Sequence, residues 1–347
     1  GLEFMPDIDL GKLGLEELII YVPQFIDYES VFPKDWLKSF FPLSSPRGTL
    51  LMFYVPIDNE EFLINVILQE NKIQYTSKVW LFRRSSRFQP RLTLSHVRDF
   101  SLFKRITFDV IEKHYKKERF SNELRKKLLG ECFDGPCLEE KPRIDSIDLL
   151  LLASFELDAF QTLKSLSQRY DVKFRTLKKH VDRHINEASV VKGIFLKGGS
   201  VRKLFGQTTL VVLEFYDVDE ALRIADLLVQ LDIALGLKLG HELFSGKAAL
   251  YAWLVNPLSG LDELFAFFVK KRREGVIADF SKLDTMAYSV RSFTIPVLNF
   301  NMDTRTWDVD TDRAGAIFKR RYKLVLTPQG LPYASPQTFW KSQENNA

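Results

Sequence analysis

The stretch QTLKSLSQRYDVKFRTLKKHVDRHI, residues 161–185, decides how this chain is read. Leu163 and Leu166 recur at helical spacing. After a short polar break, YDVK, Leu177, Val181 and Ile185 do so again. Two amphipathic helices joined by a tight turn satisfy that pattern, because residues three and four apart share one face of a helix. The question is what the opposite face does. It is either the solvated side of an ordinary three-helix unit or the outward side of a helix-turn-helix whose second helix enters a DNA groove.

Working outward, SIDLLLLASFELD (146–158) supplies a bracing helix and AFQTLKSLSQRY the next, with Leu163, Leu166 and Tyr170 inward. Asp171-Val172-Lys173 form the turn, Val172 plugging the core, and the third helix runs from about Phe174 to Ile185. Its inward positions are Leu177, Val181 and His184. Lys173, Arg175, Thr176, Lys178, Lys179 and Arg183 remain as candidate DNA contacts. Arginine can bind guanine in a bidentate fashion, and lysine reaches phosphate or guanine. Segment 158–185 holds seven Lys/Arg against three Asp, an excess equal to the +4 of the whole chain. His180 and His184 read as packing or solvent side chains rather than metal ligands. The following VVKGIFLKGGSVRKLFG is either a connector or a small β-hairpin wing that brings Lys197, Arg202 and Lys203 near phosphates.

On either side lie alternating strand and helix patterns. Before the helical unit, strands are expected at 15–23, 47–56 and 72–84, with helices at 32–41 and 58–71; Asp58 and Glu61 have the spacing of a capping box. After it come a strand at 207–216, a helix at 217–232, strands at 233–240 and 246–257, a helix at 260–275 and an extended segment at 276–295. That β-α-β-β-α-β order is the split pattern of a ferredoxin-like sandwich. SPRGTLLMFYVP and FSGKAALYAWLVNP resemble each other, so the two halves read as remote repeats. The expected fold class is therefore α+β: two ferredoxin-like βαββαβ domains flanking a central, possibly winged, helix-turn-helix. The expected boundaries are 12–107 and 205–300 for the flanking domains, 108–143 for a linker helix and loop, 144–204 for the helix-turn-helix, and 301–347 for a C-terminal extension.

Composition sets the outer bounds. The chain has 347 residues, 46% hydrophobic and 27% charged, with 29 Phe, enough apolar material for more than one core. Two cysteines, Cys132 and Cys137, are too few for a disulfide scaffold or a four-ligand zinc site of their own, and are either two thiols or one local bridge. No apolar run is long enough to span a membrane, and no signal peptide is visible, so a cytoplasmic protein is expected. Gly1–Phe4, ahead of Met5, read as a cloning remnant. No Walker loop, dinucleotide fingerprint, HExxH or GxSxG occurs, and the Gly-rich LKGGSVRKLFG lacks the Gly-Lys-Ser ending of a phosphate loop. MDTRTWDVDTD lacks the glycine and terminal glutamate of a calcium loop. These absences point to no enzyme, no cofactor and no metal.

RIDSIDLLLLASFELDAFQTLKSLSQRYDVKFRTLKKHVDRHI (143–185) resembles the helix-turn-helix of Lrp/AsnC-type regulators of archaea and bacteria. Asp145 and Asp148 match that family's paired acids, Leu166-Ser167 stands where Leu-Ala is usual, and Asp171-Val172-Lys173 stands for Gly-Val-Ser. The resemblance implies an enlarged archaeal-type transcription regulator, with effector-like domains on both sides of the reader and an unknown effector. Its expected partners are double-stranded DNA, read in the major groove by helix 174–185, and a second copy in a homodimer. The alternative is an interaction module of the transcription or replication machinery that docks a protein.

Overall fold

The computed structural model describes residues 4–73, 76–84, 106–116, 128, 144–196, 208–255, 261–285, 291–301 and 303–309. Strands form where apolar residues run almost without a break: Leu15–Val22 (β2), Gly48–Pro56 (β4), Thr208–Phe215 (β7) and Ala248–Val255 (β9). Such runs suit strands buried on both faces. Leu37–Ser45 (β3), Lys78–Arg84 (β5), Ala234–Glu242 (β8) and Asp279–Thr285 (β10) complete the set.

These eight strands form one antiparallel ring in the order β10-β7-β9-β8-β5-β2-β4-β3. The ring closes where β3 pairs with β10, Leu43 opposite Thr285 and Ser45 opposite Asp284. Each half of the chain supplies one arc. The arcs also meet at β5 and β8, with Trp80 opposite Glu242, Leu81 opposite His241 and a bulge before Arg84. This corrects the expected fold class: the flanking sequences are not two ferredoxin-like domains on either side of a helix-turn-helix but the two arcs of one closed barrel. Two separate four-stranded sheets would expose four edges of unpaired backbone, and closure satisfies them all.

The alternation of side chains sorts the core into three parts. In β2, Leu18 and Ile20 face outward to one helical layer, while Ile19 faces into the barrel. In β7, Val211, Leu213 and Phe215 face a second helical layer, while Leu210 and Val212 point inward. The barrel interior is filled by Ile19, Leu43, Leu50, Met52, Trp80, Phe82, Tyr251 and their neighbours. Polar pairs share it: Lys238 Nζ lies 2.5 Å from Glu17 Oε1, and Trp80 Nε1 donates to Glu214 Oε1 at 3.1 Å.

Seven α-helices are described: Glu60–Glu70 (α1), Phe108–Tyr115 (α2), Ser146–Leu157 (α3), Leu163–Tyr170 (α4), Phe174–His180 (α5), Val218–Gln230 (α6) and Leu261–Arg273 (α7). α2, α6 and α7 cover the second arc. α1 and the α3–α5 unit share one core with the first arc.

Two local expectations are corrected. Residues 32–41 form no α-helix: a 3₁₀ turn at Lys34–Trp36 leads directly into β3, where pairing on both edges overrides helical spacing. Asp58 does not cap α1, whose N-cap is Asn59 without a side-chain bond, because the chain first makes a 3₁₀ turn at Ile57–Asn59. Phe4 opens β1 (Phe4–Ile8), and its ring meets Phe160 edge-on at 5.3 Å. β1 pairs antiparallel with β6 (Val191–Leu196); the rest of the expected wing hairpin lies outside the described residues. Among the described residues, no helix is long and apolar enough to cross a membrane.

Candidate functional site

The site is built on α3, α4 and α5. Asp145 opens α3: its Oδ1 accepts from the backbone N–H groups of Ile147 (2.9 Å) and Asp148 (3.2 Å). Asp148 Oδ2 accepts from the Asp145 N–H in return (2.9 Å). This reciprocal cap satisfies donors that a helix start leaves open. Leu149–Ala153 are buried behind it, and Ser154 Oγ meets the Tyr170 hydroxyl at 2.7 Å, tying α3 to α4. Thr162 caps α4, which ends at Asp171 in the left-handed conformation (φ 53°, ψ 39°). Ser167 Oγ donates to the Val172 carbonyl at 2.7 Å and fixes the turn. α5 follows, and its last residues pass into a wider π-helical turn at Val181–Asn186.

The unit does not stand free of the barrel. Glu156 of α3 is buried and accepts from Lys38 Nζ of β3 (2.7 Å), the Tyr54 hydroxyl of β4 (3.3 Å) and the Ile295 N–H (2.8 Å). At the other end, Lys12 Nζ donates to the Ala188 carbonyl (2.6 Å), and Lys192 pairs with Asp9 (2.8 Å).

The outer face of α5 is cationic. Lys173, Arg175, Lys178, Lys179 and Arg183 are all exposed, and Thr176 is half-buried. Lys164 and Arg169 on α4 extend the same charge, Arg169 donating to Gln161 Oε1 at 3.2 Å. Among the described residues no carboxylate pairs with any of the five α5-face cations. Phe174, half exposed, sits among them. Lys197, Arg202 and Lys203 lie outside the described residues, as do Cys132 and Cys137.

The inner face carries a constellation that the sequence did not single out. Asp148 is fully buried, and both its oxygens meet imidazoles: Oδ1 lies 2.8 Å from His180 Nδ1, and Oδ2 lies 2.9 Å from His184 Nδ1. Asp145 Oδ1 lies 3.5 Å from His180 Nδ1, and the two rings cross edge-on at 4.7 Å. With Asp148 ionised, both rings donate from Nδ1. Burial is the main cause that pushes the Asp148 carboxyl above the usual carboxylate range, and Asp145 adds to it, against the hydrogen bonds from the Asp145 backbone and the two histidines. His180, left out of the expected inward set, lies on the same face as Leu177 and is buried. The available signals were the i, i+4 histidine pair and the i, i+3 acid pair, which meet only across the turn.

No family model matches the chain, and no curated protein matches it. Two solved structures align over most of its length. One is the siroheme decarboxylase NirDL, at 9% identity and TM-score 0.46 over 92% of this chain and 83% of that one. The other is the same enzyme with an iron-uroporphyrin III analogue, at 10% identity and TM-score 0.43 over 81% and 74%. The expected membership among Lrp/AsnC-type, helix-turn-helix transcription regulators is corrected: no family model matches, and the strands form one barrel rather than effector domains around a reader. The comparisons do not support the expectation of a chain without catalytic activity, since the solved proteins found are an enzyme. Superpositions this loose carry no reaction, substrate or cofactor over to this chain.

Proposed function

We propose that the outer face of α5, with its neighbours on α4, binds the phosphate backbone of double-stranded DNA. One observation carries the proposal: Lys173, Arg175, Lys178, Lys179 and Arg183 are exposed together on a short helix whose opposite face is anchored in the core. A cationic face without carboxylate partners among the described residues is suited to neutralise phosphates and release their counterions. Phosphate contacts of this kind position a protein on the duplex and carry no sequence information by themselves.

The test is fluorescence anisotropy with a duplex at several salt concentrations. If the five cations each neutralise one phosphate, log K falls against log salt with a slope of about −4.5, which weakens binding roughly 500-fold between 50 and 200 mM salt. Lys178→Glu/Lys179→Glu flattens that slope by about two and sharply weakens binding. Arg273→Glu, an exposed charge change at the far end of α7, leaves both unchanged. Failure of any duplex to bind at low salt, or equal slopes for wild type and the α5 variant, removes the proposal.

A further inference from the structure

We propose that Asp145, Asp148, His180 and His184 form a binding site for one divalent transition-metal ion of the zinc class, which fastens α5 to the start of α3. Each of the four offers one ligand atom, and these atoms all lie within 4.8 Å of one another. A tetrahedral ion with bonds of about 2.1 Å holds its ligands roughly 3.4 Å apart. The contacts of 2.8, 2.9 and 3.5 Å already present, and the 4.8 Å span, bracket that spacing. Small side-chain shifts suffice, together with a change of tautomer that carries each ring's proton from Nδ1, where it now donates, to Nε2 and leaves Nδ1 a lone pair for the ion.

The chemistry of the four selects the class of ion. Two carboxylates balance a divalent charge, and two neutral imidazoles favour zinc, cobalt or nickel over magnesium and calcium, which take oxygen ligands. A second observation points the same way. The two carboxylates converge at the start of α3, Asp148 buried and Asp145 partly so, and among the described residues no lysine or arginine pairs with either of them. The local backbone also fits: the π-helical turn at Val181–Asn186 begins between His180 and His184, and such widened turns recur at functional positions.

The test uses the full chain, stripped of metal, titrated with Zn²⁺ by calorimetry and with Co²⁺ by visible absorption, in the absence of nucleic acid. Its outcome is thus independent of the surface proposed above. The expected result is one equivalent per chain, with a Co²⁺ spectrum free of sulfur charge-transfer bands. His184→Gln, at a partly exposed position, and Asp145→Asn each weaken uptake by at least about 100-fold, the upper end of what loss of an outer-shell partner costs. Cys132→Ser/Cys137→Ser leaves it unchanged. If His184→Gln fails to fold, Asp145→Asn decides. No stoichiometric uptake, uptake unaltered in the Asp145 variant, or uptake lost in the cysteine variant overturns the site.

Discussion

Glu156 joins the helical unit to the barrel, and its removal tests that union directly. Its side chain, 4% exposed, accepts from Lys38 Nζ at 2.7 Å, the Tyr54 hydroxyl at 3.3 Å and the Ile295 N–H at 2.8 Å. Lys38 is itself only 7% exposed; it also donates to the Phe293 carbonyl at 3.1 Å and lies 5.1 Å from the centre of the Tyr54 ring. Glu156→Ala strands that ammonium away from water, which costs about 3–5 kcal/mol for a buried pair broken on one side. Glu156→Gln keeps the shape and one acceptor but not the charge, and costs about 1.5–3 kcal/mol, the worth of hydrogen bonds to a charged group. Lys38→Met/Glu156→Leu removes both charges. Relief of their desolvation stabilises by about 1–4 kcal/mol, while the Ile295 N–H loses its acceptor at a cost of about 1–3 kcal/mol, so the double variant lies close to wild type. Urea unfolding followed by tryptophan fluorescence reports on the buried Trp36 and Trp80, with circular dichroism as a second probe. The order expected is wild type and double variant together, then Glu156→Gln, then Glu156→Ala, with the same gaps at low and high salt because buried pairs are weakly screened. A Glu156→Ala protein within about 1 kcal/mol of wild type, below the range for a broken buried pair, would refute the reasoning. So would a double variant as unstable as Glu156→Ala.

Two further outcomes follow from the same structure. Gly240→Ala should weaken the seam between the two arcs: a Cβ there overlaps the Leu81 carbonyl oxygen and comes within 2.8 Å of Phe82 Cδ1, so the melting temperature drops; an unchanged melting temperature contradicts the seam. Tyr115 donates to Glu220 Oε2 at 2.9 Å, and burial above all pushes its phenol up to about 12. Because the folded value exceeds the unfolded one, near 10, this stabilisation is complete below about pH 10 and is lost as pH rises toward about 12. Tyr115→Phe should flatten that alkaline decline in thermal unfolding, and an identical slope in both proteins refutes the assignment.

The sequence by itself determined most of the local structure. Continuous apolar runs at β2, β4, β7 and β9 carry the strands expected there, and α7, with acids in its first turn and bases in its last, is the helix expected at 260–275. The spacing of Leu166, Tyr170, Leu177 and Ile185 gave the inward stripe of the helical unit, and the exposed cations fell on the other side. These features depend on neighbours two to four residues apart, so one strand of text carries them.

Only the tertiary structure decided the rest. Whether β3 and β10, or β5 and β8, would end two sheets or close one ring depends on which edges meet in space, and edge backbone groups are chemically alike whatever side chain they carry. The LKSFF run looked helical until its partners on both sides made it a strand. Asp148 and the histidine pair lie more than thirty residues apart in the chain, and nothing in their separate segments records that they meet. Short-range spacing is written in covalent order, whereas edge closure and side-chain convergence are settled by the packing of distant segments against one core.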